Sequence, residues 1–72
     1  MPAKKHVEYA EAIAAARMEM GRDIEPCGFG HHDVGGHIVN ILFYSVAYPE
    51  EGLKFWRMAV WVDGAKSAGV VL

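Results

Sequence analysis

Two stretches of this chain, 38–48 and 53–62, put apolar side chains on both sides of an extended backbone. A half-buried strand alternates apolar and polar residues, because one face meets the core and the other meets water. Here β-branched and aromatic residues dominate throughout, with Ile38, Val39, Ile41, Phe43 and Tyr44 in the first stretch and Phe55, Trp56 and Trp61 in the second. The composition predicts two strands with more apolar surface than one small core can use. Pro49, Glu50, Glu51 and Gly52 form the connection, and a loop of that length sets Tyr48 opposite Leu53. One face of the ribbon then carries Val39, Ile41, Phe43, Ser45, Trp56, Met58, Val60 and Val62 (the Val39 face). The other carries Ile38, Asn40, Leu42, Tyr44, Val46, Tyr48, Leu53, Phe55, Arg57, Ala59, Trp61 and Asp63 (the Leu42 face).

Asp63-Gly64 is a hairpin signal, since a type I′ turn needs positive φ at both central positions. It predicts a third strand running to Val70, Val71 and Leu72. Ahead of the ribbon, residues 3–20 are rich in alanine, glutamate and methionine and contain neither proline nor glycine, and Gly21 follows as a stop. This predicts one helix with Tyr9, Ile13, Ala16 and Met20 on a stripe, and with alanines whose low relief allows close approach to a sheet. Residues 21–36 show no periodicity and hold Pro26, Gly28, Gly30, Gly35 and Gly36. They are read as a glycine- and histidine-rich loop, with a short strand conceivable around 27–30.

The fold class expected is therefore α+β in a single domain, 1–72: a helix over about 3–20, the loop 21–36, and a three-stranded antiparallel meander over 37–72. One helix covers one face of such a sheet. The Val39 face has no ionisable residue along its length, so the helix is assigned to it. The Leu42 face mixes aromatic residues with Asn40, Arg57 and Asp63, a composition typical of protein interfaces. Leu42, Tyr44, Val46, Tyr48, Phe55, Arg57 and Trp61 are accordingly expected to be buried against a partner, first of all a second copy of the chain.

Composition narrows the function classes. A chain of 72 residues buries only a modest core, and its single cysteine, Cys27, allows no internal disulfide. Oligomerisation or metal is left as the usual support for so small a domain. The formal net charge is −2 and the basic residues are scattered apart from Lys4-Lys5, so no basic stripe for nucleic acid is present. No apolar run approaches the ~20 residues of a membrane helix, and no secretory signal is recognisable. With one unpaired cysteine, the expectation is a cytoplasmic protein that binds neither nucleic acid nor membrane.

Cys27, His31, His32 and His37 are all metal-ligand types within eleven residues, with Asp33 among them. Imidazole and thiolate together suit Zn²⁺ or another transition metal. Adjacent His31 and His32 point in different directions in most backbones, however, and solvated loop histidines are the competing reading. Cys27 with His31 or His32 could form a nucleophilic pair, but such chemistry needs a rigid, water-excluding pocket that a glycine-rich loop does not supply. The glycines lack the lysine and following helix of a phosphate loop. The reading that results is non-enzymatic and without a cofactor: a small protein–protein interaction module, of the kind a phage or other mobile element uses as an inhibitor or regulator of a larger protein. A metal-binding or metal-sensing protein using residues 27–37 is the alternative, and a small-ligand binder with its pocket between subunits is the second.

Overall fold

The structure is a computed structural model that describes residues 5–67. It consists of one helix, α1 (Tyr9–Met20), followed by four strands: β1 (Glu25–Val34), β2 (His37–Tyr48), β3 (Leu53–Val62) and β4 (Ala65–Lys66). The strands form one antiparallel sheet in the order β1-β2-β3-β4, so the α+β class holds and every connection is a hairpin.

The register between β2 and β3 is the expected one, with Tyr48 opposite Leu53 and Val39 opposite Val62. Its turn is closed by Glu51 N–H donating to Tyr48 O and Gly52 N–H to Pro49 O, with Gly52 at φ 68°. The Asp63-Gly64 turn is likewise present, with both residues at positive φ and Val62 paired to Ala65. Of the expected third strand the described part is Ala65–Lys66, and Val70, Val71 and Leu72 lie outside the described residues.

The loop expected over 21–36 is instead largely β1, so the sheet has four strands rather than three. Its own propensity is poor, with one proline and two glycines, and the ladder to β2 supplies the order that local preference does not. β1 is an edge strand, where Pro26 need donate no ladder bond, and a bulge between Pro26 and Gly28 absorbs Cys27. Gly35 and Gly36, at φ 57° and 80°, make the tight turn that joins Val34 to His37.

The helix is also shorter than expected, starting at Tyr9 rather than near residue 3. Val7 is buried, and its N–H donates to Oδ1 of the buried Asn40 at 2.9 Å. That tertiary bond holds the segment ahead of α1 extended, against its helical preference. Gly21 closes the helix in the left-handed conformation, φ 68°, with its N–H on Arg17 O.

The largest departure concerns which face the helix covers. Helix α1 packs on the Leu42 face: Ala12 and Ala16 are buried against a core of Leu42, Tyr44, Val46, Ala59 and Trp61, with Val7 and Ile24. Leu42, Tyr44, Val46 and Trp61, expected at an intermolecular interface, are thus core residues of one chain. Tyr48 is half-buried there, while Phe55 and Arg57 lie on the same face but exposed. Part of the polar content of this face accounts for the choice, since the helix and its flanks satisfy Asn40 and Lys66, while Asp63 bonds within the sheet and Arg57 is exposed. Asn40 takes Val7 and donates to Gly30 O, Lys66 pairs with Glu19 of α1, and Arg22 lies 4.0 Å over the Tyr48 ring while bonding Ala47 O and Glu50. No buried side-chain nitrogen or oxygen among the described residues lacks a hydrogen-bond partner.

Candidate functional site

With helix α1 on the Leu42 face, no element among the described residues covers the Val39 face. Trp56 is 67% exposed, Phe43 49% and Val62 39%, and Val39, Ile41, Met58 and Val60 between them are only partly covered. Strand pairing puts these seven side chains on two adjacent strands in three consecutive rows and the row beside them, so they form one continuous patch. Single exposed apolar residues are ordinary on a protein surface, whereas a contiguous apolar patch marks an interaction site.

Relief across this face is uneven. On β1 this face carries Gly28, opposite Phe43, and Gly30, opposite Ile41, between Glu25 and His32, so the two glycines form a short low lane bounded by polar side chains. A Cβ built on Gly28 would meet only the edge of the Phe43 ring, at 4.0 Å, an ordinary contact. On β3 the outward side chains are Trp56, Met58, Val60 and Val62, a ridge. At the Ser45 end a depression of ≈ 340 Å³ opens, with Ile24, Glu25, Pro26, Ser45, Ala47 and Lys54 among its walls. Glu25 and Lys54 flank that end from opposite edges of the sheet, and Lys54 Nζ lies 5.7 Å from the centre of the Trp56 ring.

The residues singled out for metal chemistry are dispersed. Alternation along β1 sends His31 and His32 to opposite faces, His31 with Asn40 on the helix side and His32 with Val39 on the outer side. The ring of His31 meets His6 edge to face, 4.3 Å between centres. His37 Nδ1 bonds Asp63 Oδ2 at 2.7 Å, tying one hairpin turn to the other. Cys27 is exposed at the bulge, its thiol donating to Glu25 O. Among the described residues no group of three or more histidine, cysteine, aspartate or glutamate side chains is arranged to hold a metal ion.

No protein-family model, curated protein or solved structure matches this chain. Its reading therefore rests on its own surface. No helix among the described residues is long and apolar enough to cross a membrane.

Sequence reasoning divided the ribbon into the right two sets of side chains and gave the helix to the wrong one. Val39, Ile41, Phe43, Trp56, Met58, Val60 and Val62 carry no charge, which suits a core and an interface alike. The signal that tells them apart is Asn40 flanked by bulky residues, since a buried amide needs nearby backbone donors and acceptors that only a covering segment provides. Gly35-Gly36 between Val34 and His37 was a readable hairpin signal as well.

Proposed function

We propose that this chain is a non-enzymatic protein–protein interaction module whose binding surface is the Val39 face of its sheet. The observation that carries this reading is the continuous apolar patch of Phe43, Trp56 and their neighbours on the side of the sheet opposite the helix. Burying one large apolar side chain is worth roughly 1.5–3 kcal/mol, so a partner that covers this face gains substantially from it. Aromatic residues and methionine are the types enriched at the centre of such interfaces. Polar side chains lie at the margins, at Glu25, His32 and Lys54, and supply a polar rim.

Site-specific photocrosslinking in the native cell tests the assignment. A benzophenone side chain at position 43 should give a discrete protein adduct that a further Trp56→Ala change abolishes, while one at Glu11 on the far side of the helix should give none. Equal labelling from both positions would show that this face is not the binding surface.

A further inference from the structure

We propose that the occupant of the Val39 face is a second copy of this chain, packed sheet on sheet about a two-fold axis that runs parallel to the strands. This inference rests on the reading of that face as the binding surface. Four features of the face argue for self-association: its area, its shape, its charge and the smallness of the core behind it.

The β2–β3 ladder runs ten residues from Val39 to Tyr48, with β1 alongside. At ~3.4 Å per residue and ~4.8 Å per strand, the face measures on the order of 500 Å² in plan, before side-chain relief adds to it. A stable interface takes about 600–1,000 Å² of accessible surface from each partner, so one face of this size against its twin sits at the small end of that range once side-chain relief is counted. The chain has reason to use it, since a 72-residue domain without an internal disulfide is among those that usually need oligomerisation.

Shape and charge select the arrangement. Aligned sheets pack with strand directions within about 30° of each other, which leaves two dyads in the plane of the interface. A dyad perpendicular to the strands would set β3 on β3 and β1 on β1, stacking ridge on ridge and leaving the glycine lanes empty. A dyad parallel to the strands exchanges the two edges and preserves the rows. The β3 ridge of one chain then lies over the β1 lane of the other, with Met58 and Val60 toward Gly28 and Gly30. Trp56, in the row of Glu25 and Ser45, is carried over the same row of the other copy, beside the depression lined there by Asp23, Glu25, Ser45, Ala47 and Lys54 among others. The same operation brings Lys54 of each copy to the end of the interface where the other presents Glu25. Phe43 and Ile41, on the central strand, meet their own counterparts across the axis.

Sedimentation equilibrium from micromolar to hundreds of micromolar tests this. The protein should be a dimer, and Trp56→Ala and Gly30→Val should each raise the dissociation constant by at least ~10-fold. Gly30→Val is the sharper test. Within one chain its Cβ meets only the tip of His32 at 3.7 Å, an ordinary contact, and valine favours a strand, so the fold should persist by circular dichroism while the lane is filled. Glu25→Lys should weaken the dimer, and Glu25→Lys with Lys54→Glu should restore it. A monomer throughout the range, or a dimer indifferent to both Trp56→Ala and Gly30→Val, would overturn the proposal. A monomer that still gives the Trp56-dependent adduct from position 43 would remove self-association and leave the binding surface intact, whereas equal adducts from positions 43 and 11 would remove the surface itself.

Discussion

The main-chain N–H of Val7 donates to Oδ1 of Asn40 at 2.9 Å, which fastens the segment ahead of the helix to the central strand. Asn40 is almost wholly buried and its amide also donates to Gly30 O, so it links three parts of the chain. Asn40→Leu should cost about 1–3 kcal/mol, because it leaves the buried Val7 N–H without an acceptor. Urea unfolding measures the loss, and amide exchange at Val7 should accelerate in the same variant.

Leu42 and Phe43 are neighbours in sequence on opposite sides of the sheet. Leu42 is 0% exposed under the helix, and Phe43 is half exposed on the outer face. At concentrations low enough to keep single chains apart, Leu42→Ala should cost roughly 2–5 kcal/mol and Phe43→Ala about 1 kcal/mol or less. Equal costs would mean that the helix does not distinguish the two faces.

Much of this fold was legible in the sequence, and what was not has a common physical origin. The β2–β3 register followed from period-two alternation and a four-residue connection, and Asp63-Gly64 announced its turn through a local need for positive φ. The strand at 25–34 was not legible because its glycines and proline carry no strand preference, and only the ladder to β2 orders it. The start of the helix was misplaced for the same kind of reason, a long-range bond from Val7 overriding local propensity. Absence of charge on the Val39 face was compatible with either a core or an interface. The polar atoms of Asn40 and Lys66 on the Leu42 face decided between them, since both find partners in the helix and its flanks. The candidate binding face was therefore visible as a set of residues, while its exposure was not.

Gly35 turns the first hairpin at φ 57° with open space around the position where a Cβ would go. The cost of Gly35→Ala should thus be wholly conformational, about 1–2 kcal/mol, and Gly35→Asn should recover part of it because asparagine tolerates the left-handed region. Thermal unfolding of the two variants against the parent checks the ordering.

Acid should weaken the fold through two carboxylates. The Arg17 guanidinium, which Asp23 accepts from, holds the Asp23 carboxyl below its ordinary 3.8, aided by the N–H of Ile24. Glu50 is held below 4.5 by its own main-chain N–H first and by Arg22 second. A carboxylate whose pKa is lower folded than unfolded stabilises the fold above the unfolded value and loses that contribution as pH falls through the folded one. Stability should therefore decline as pH drops below about 4.5, and Asp23→Asn should flatten the profile. In alkali the sign reverses for Tyr44, whose phenol burial pushes above 10.0, with the Glu19 charge adding to it. Stability present below 10.0 should be lost as pH rises past it, with ionisation of this tyrosine delayed in difference absorbance.

On the proposal above, a partner covers the Trp56 face and not the Trp61 face. Acrylamide quenching of a Trp61→Phe variant reads Trp56 alone. Quenching should be close to that of free indole in dilute solution and fall severalfold as the protein concentration rises into the hundreds of micromolar, with the fall absent in Gly30→Val. Full accessibility of Trp56 at every concentration, or shielding already complete at the lowest concentration where the protein sediments as a monomer, would contradict that assignment.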